Sequence, residues 1–147
     1  MTATAEQVRQ VLQDYIRAWT IKDKALLLSL FAEDAVLEDP VGTPPFRGHE
    51  GIGKFWDFAL SDSTRQITPR LEEIRACGDQ GILRFTMEVR LPEEGKGLNL
   101  SIIEHAQLND EGKLSHLRAF WDENSVGCPE GWELFVPNIA DAYDNAD

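Results

Sequence analysis

Cysteine is scarce in this chain. Only Cys77 and Cys128 are present, and their spacing matches neither a metal-ligand pair nor a redox motif. Two unrelated thiols fit a reducing cytoplasm better than a disulfide scaffold. Histidine is equally sparse: His49, His105 and His116 share no metal-ligand spacing, so no metal is expected. Basic residues number 14 against 26 acidic ones, a formal net charge of −12. That field repels phosphate backbones and anionic lipid, which argues against nucleic acid or a membrane surface as partner. Long apolar runs are missing too. The most apolar stretch, Ala25 to Ala32, is interrupted by Ser29 and is far too short to span a bilayer. The opening MTATAEQVRQ has no basic segment followed by an apolar one, so no secretory signal is read and a cytoplasmic protein is expected. Internal repeats, low-complexity tracts and linkers are absent.

What remains is an ordinary core-forming composition: 147 residues, 42% hydrophobic and 27% charged, one domain's worth of chain. Thr4-Ala5-Glu6-Gln7 reads as a capping box. Val8, Val11, Leu12, Tyr15, Ile16 and Trp19 then recur at helical spacing, with Tyr15 on the buried stripe. Asp23 is expected to cap a second helix carrying Leu26, Leu27, Leu30 and Phe31. A short strand over 35–39, a proline loop and a third helix over about 49–60 follow. Beyond Ser61 the period changes to two. Gly81 to Leu91 alternates strictly, the stretch 67–76 carries a phase break near Glu72 and Glu73 that suggests a bulge, and 98–108 and 114–123 are two further strands. Helices first and a meander after them predict an α+β domain, with helices laid over one face of a curved, mainly antiparallel sheet to leave a conical pocket. This domain is expected to cover 1–124. The extension 125–147 carries Trp132, Leu134, Phe135 and Val136, enough to pack on the domain or on a second copy, and it ends in a frayed acidic stretch from Asp141.

Strand parity singles out two carboxylates. In LNLSIIEHAQL, Leu98, Leu100, Ile102, Ala106 and Leu108 share one face with Glu104. Asp39 shares parity with Ala35 and Leu37. Burial of an unpaired carboxylate is costly, and uptake of a proton is the usual escape. An inward tyrosine hydroxyl also needs a partner. Tyr15, Asp39 and Glu104 in one apolar cavity would supply a base, a hydroxyl donor and a protonated acid, the parts for moving a proton beside a carbonyl. Each residue also has a plain structural reading. Glu104 could pair with an arginine such as Arg118, or turn outward if a bulge shifts the register. Tyr15 could be a core residue with its hydroxyl at the rim. Asp39 before Pro40 could simply start a turn.

Several segments, QDYIRAW (13–19), FAEDAVLEDPVGTPPFRGHEGIGKFW (31–56), ILRFTMEV (82–89) and LNDEGKLSHLRAFW (108–121), carry a resemblance. The chain resembles the steroid Δ5-3-ketoisomerases, members of the NTF2-like (SnoaL-like) superfamily of cone-shaped α+β dimers. The resemblance runs from about Val8 to Trp121. It implies that Asp39 is the base that shuttles a proton between two steroid carbons. Tyr15 would hydrogen-bond the ketone oxygen, and Glu104 would be the second oxyanion donor. Phe85, Leu117 and Trp121 would hold the flat ligand, as would Phe31, Phe55 and Trp56 from the helical side. No cofactor is implied, and the expected partners are a small apolar ligand, steroid or polyketide-like, and a second copy of the chain. This sequence departs from the family at Glu104, one methylene longer than the usual aspartic acid. It departs also at Phe31 and Trp56, which stand where some members carry supporting tyrosines.

The same scaffold admits a polyketide cyclase-like aldol catalyst, an epoxide hydrolase, or a domain that binds a small molecule without catalysis. An open cavity containing both Asp39 and Glu104 would favour proton transfer. One filled by Trp132 or Phe135 would favour binding.

Overall fold

A computed structural model describes residues 2–136; the acidic end from Asp141, expected to be frayed, lies outside the described residues. Helix α1 spans Ala5–Ile21. Its capping box forms as the sequence predicts: Thr4 accepts from the Gln7 backbone N–H, and the Gln7 side chain accepts from the Thr4 N–H at 2.8 Å. Its buried face is Val8, Leu12, Tyr15, Ile16 and Trp19. Asp23 caps α2, Lys24–Ser29, by accepting from Leu26 N at 3.0 Å.

The second helix stops earlier than its periodicity suggests. Phe31 opens strand β1, Phe31–Glu38, instead of closing α2. The apolar spacing of Leu26, Leu27, Leu30 and Phe31 suits one more helical turn. Parallel pairing of Phe31 with Leu114 outweighs it, reinforced by the bond from Leu114 N to Leu30 O at 2.8 Å. Strand β2 (Phe46–Arg47) pairs antiparallel with β1, and α3 follows at Gly48–Ala59.

The sheet then builds through β3 (Gln66–Cys77), β4 (Gln80–Leu91), β5 (Lys96–Leu108) and β6 (Leu114–Phe120). Its order is β2-β1-β6-β5-β4-β3. The β3–β4, β4–β5 and β5–β6 pairs are antiparallel, and β1 joins β6 in parallel. The β3–β4 register shifts between Leu71 and Glu73, at the bulge expected from the phase break. Two short strands of the C-terminal extension, β7 (Val126–Gly127) and β8 (Glu133–Leu134), pair with β5. Among the described residues, no helix is long and apolar enough to cross a membrane.

Close approach of α1 to the sheet depends on Gly81. A Cβ there would lie 2.5 Å from Val8 Cγ1 and 3.2 Å from both Arg75 O and Leu12 Cδ1. Overpacking of this kind costs about 1–3 kcal/mol. Gly81→Val is therefore expected to lower unfolding stability by at least that amount, as a reduced urea midpoint with little change in slope. An unchanged midpoint would show that α1 is free to move off the sheet.

Candidate active site

The helices cover one face of the sheet and leave a cavity against it. The cavity has a volume of about 150 Å³ and opens to solvent at its mouth. Its walls are apolar apart from a few groups. Tyr15 and Trp19 come from α1, and Phe55, Phe58 and Ala59 from α3. Ile67 comes from β3, Phe85 and Met87 from β4, and Leu100, Ile102 and Glu104 from β5. Asp39, Arg65 and Trp121 complete the wall.

Each polar group arrives by a different route. Tyr15 and Trp19 stand one helical turn apart on α1, with ring centroids separated by 6.5 Å in an edge-on pair. Glu104 points inward because β5 alternates. Its neighbours across the sheet are Leu83 and Ala119, both buried. Asp39 lies one residue past the end of β1 and keeps the inward parity of Ala35 and Leu37. The loop behind it is tied down: Val41 N donates to Ala119 O at 2.9 Å, and Thr43 Oγ1 donates to Pro40 O at 2.6 Å. The Asp39–Pro40 peptide bond is cis.

All three expected groups are buried, with relative exposures of 8% for Asp39, 3% for Tyr15 and 1% for Glu104. Trp121 Nε1 donates to Asp39 Oδ1 at 2.6 Å. Burial pushes the Asp39 carboxyl up to about 6, and the Trp121 bond pulls against that rise. Glu104 is raised well above the ordinary carboxylate value, first by burial and then by the neighbouring Asp39 charge. Its Oε1 is buried with no hydrogen-bond partner among the described residues. Tyr15 is raised by burial, then by Glu104 and Asp39, so it holds its proton. A neutral Glu104, a neutral Tyr15 and an Asp39 that ionises near pH 6 form a set of two proton-bearing groups and one base.

The rival pairing of Glu104 with Arg118 does not form. Arg118 Nε donates to Glu38 Oε2 at 3.0 Å, and His116 Nε2 lies 2.6 Å from the same oxygen, at the opposite parity from Asp39. No cluster of histidine, cysteine and acidic side chains suited to a metal occurs among the described residues.

The expected wall residues divide into two groups. Phe55, Phe85 and Trp121 line the cavity. Phe31, Trp56 and Leu117 stand behind it. Phe31 meets Tyr15 edge-on at 6.5 Å and borders a separate surface cleft with Glu33 and His49. Trp56 packs under Trp19 with centroids 4.4 Å apart. Leu117 is fully buried, in register with Leu37 and Ala106. These residues fix the orientation of the wall instead of forming it. Parity and helical spacing extended by one step would have found Met87, Leu100, Trp19 and Phe58. Arg65 sits in the segment between α3 and β3, where no periodicity marks it. The Trp121–Asp39 bond joins residues 82 positions apart and has no local sequence signal. Trp132 and Phe135 do not fill the cavity; they stack on Arg90 and Arg65.

Comparison with known proteins agrees with this architecture. A steroid Delta-isomerase of Nocardioides simplex is 28% identical over 115 residues, covering 78% of this chain and 89% of that protein. Among solved structures, the epoxide hydrolase/cyclase-like enzyme SalBIII, described for pyran ring formation in the polyether salinomycin, superposes with a TM-score of 0.73. The sequences are 20% identical, and the match covers 82% of this chain and 95% of that one, a likeness of fold. The SnoaL-like domain model matches residues 12–117, from the middle of α1 through Leu117 of β6. The chain therefore belongs to the SnoaL-like domain family.

Proposed function

We propose that the protein is a ketosteroid isomerase-like enzyme that moves a double bond from the Δ5 to the Δ4 position of a flat apolar ketone. The observation that carries the proposal is the convergence of Asp39, Tyr15 and Glu104 on one apolar cavity, with Glu104 Oε1 unpaired there. The ketone oxygen accepts hydrogen bonds from the Tyr15 hydroxyl and the protonated Glu104 carboxyl. The Asp39 carboxylate removes a proton from the carbon between the ketone and the alkene. The electron pair moves through the carbonyl to give a dienolate, whose charge the two donors hold. Asp39 then returns the proton to the far end of the conjugated system and is a carboxylate again. No electron leaves the substrate, so the step itself requires no cofactor. Trp121 positions the base by donating to Asp39 Oδ1 at 2.6 Å. Similarity to the Nocardioides simplex isomerase supports the same chemistry.

A second copy of the chain is the proposed partner. On the sheet face away from the helices, Ile82, Ile103 and Phe120 are each more than 40% exposed, and Ile103 pairs with Phe120 across β5 and β6. Exposed apolar side chains gathered on one face suit an isologous interface. Phe120→Glu is expected to convert a dimer to a monomer by light scattering; a monomeric wild-type protein would overturn this partner.

The reaction is tested by the rise of conjugated-enone absorbance from a Δ5-3-ketosteroid. Asp39→Asn is expected to lower kcat by about 10²- to 10⁴-fold, and kcat/KM of the wild type to rise with pH through a limb near 6. No rate above background in the wild type would leave the cyclase and ligand-binding alternatives. Glu104→Ala is expected to lose about 10²- to 10³-fold in kcat, and Glu104→Gln less, because its amide still donates.

The same base weakens the fold. Asp39 is protonated in both folded and unfolded chains below its ordinary value of 3.8, so burial there carries no ionic cost. Between 3.8 and about 6 the unfolded chain ionises first, and stability falls as pH rises. Above that window the loss is constant. Asp39→Asn is therefore expected to be more stable than wild type at pH 8, on the order of 1–3 kcal/mol, and the difference to vanish in strong acid. A variant less stable at pH 8 would mean that the ionised base has compensating partners.

A further inference from the structure

Arg65 is unexplained by proton transfer. It lines the cavity, yet its Nε is buried without a hydrogen-bond partner, and its guanidinium forms no ion pair among the described residues. The Asp62 carboxylate feels its charge, but Oδ1 of that group is already held by Thr64 N at 2.9 Å and Thr64 Oγ1 at 2.6 Å. Arg90 gives the contrast. It is also stacked by an aromatic ring of the C-terminal extension, but it donates to Val89 O, Leu98 O and Glu88. Among the described residues one stacked arginine is satisfied by protein, and the other keeps a buried Nε without a partner.

Position makes the difference useful. Glu104 and Leu100 both line the cavity on the inner face of β5, and four residues of strand at about 3.3 Å each put roughly 13 Å between them. Arg65 precedes Gln66, which pairs with Arg90, which in turn pairs with Gly97. Arg65 therefore enters from the Leu100 end, away from the carboxyl groups. Phe135 lies over its guanidinium, with Cζ 5.5 Å from the ring centroid. The stack covers a face of the planar cation, and its N–H groups point from the edge, where the buried Nε lacks a partner among the described residues.

We propose that the ligand of this cavity carries a carboxylate at the end remote from its reacting ketone, and that Arg65 selects it. The inference rests on the reading that a flat apolar ketone occupies the cavity. It narrows the substrate class from neutral ring ketones to ring keto acids. A guanidinium edge and a carboxylate match in shape as well as charge, and both are partly desolvated at the cavity mouth.

The test uses two Δ5-3-ketosteroids that differ only in the far ring, one bearing a ketone there and the other a carboxylate. Wild-type protein is expected to show a KM for the acid about tenfold below that for the neutral ketone, with the advantage shrinking as salt is added. Arg65→Gln is expected to abolish the advantage and Arg65→Lys to keep part of it, a pattern that a merely structural arginine would not give. Equal KM values in the wild type, or a preference for the acid that survives in Arg65→Gln, would overturn the proposal while leaving isomerisation standing. Binding of the corresponding Δ4 enones, which have no isomerisation left to undergo, is followed by quenching of the emission of Trp19 and Trp121. If neither Δ5 compound turns over but the acid enone still binds about tenfold more tightly in an Arg65-dependent way, the isomerase reading fails and the recognition of a carboxylate stands. Equal binding of the two enones sinks it.

Discussion

In the proposed reading, function follows from placing two carboxyl groups in one apolar cavity. Water would hold both as anions. The cavity lets them ionise only one at a time: the charge of Asp39 raises Glu104, and burial raises both. The groups are thereby made unlike although their chemistry is the same. Asp39 accepts from Trp121 and ionises near 6, whereas Glu104 Oε1 has no partner among the described residues and burial with the Asp39 charge keeps Glu104 protonated. In the proposed reading the two similar side chains act as base and acid because burial and the neighbouring Asp39 charge keep the proton on Glu104.

That arrangement requires a rigid frame, since a mobile wall would admit water and erase the difference. The antiparallel β4–β5–β6 register supplies it. Glu104 is flanked by Leu83 and Ala119, and both neighbours are buried. Parallel pairing of β1 with β6 then brings the end of β1 beside the end of β6, so that Asp39 and Trp121 meet. The residues behind the wall complete the frame. Phe31 and Trp56 abut Tyr15 and Trp19 edge-on or tilted, contacts worth about 0.5–1.5 kcal/mol each beyond the area they bury.

Much of this was legible in the chain because strands and helices repeat. Period two in 98–108 isolates Glu104 as the polar member of an apolar face, and period 3.6 puts Tyr15 inside. The capping box, the Asp23 cap and the bulge near Glu72 were legible for the same reason: each is a local event with a local signature. What escaped was set by contacts between distant segments. Phe31 belongs to a strand because Leu114 pairs with it, and nothing within 26–31 says so. Phe31, Trp56 and Leu117 lie one layer too deep to line the cavity, since periodicity assigns a face but not a depth. Arg65 lies in the connection between α3 and β3, where neither period runs, and its role depends on a cavity that only the folded sheet creates.

In the proposed reading, proton transfer and carboxylate recognition occupy opposite ends of the cavity. The carboxyl end must stay dry, because water would stabilise the ionised Glu104 and remove its proton at neutral pH. The arginine end has no such constraint. There Phe135 lies over the Arg65 guanidinium, with Cζ 5.5 Å from the ring centroid. A cation set near the carboxyl pair would lower both groups and leave two anions with no acid to support a dienolate. Arg65 lies at the end away from the carboxyl pair, so under the proposed reading its charge would hold a ligand without disturbing the proton on Glu104. In an apolar cavity of this length, distance does the work that a mixed polar site would need further hydrogen bonds to do.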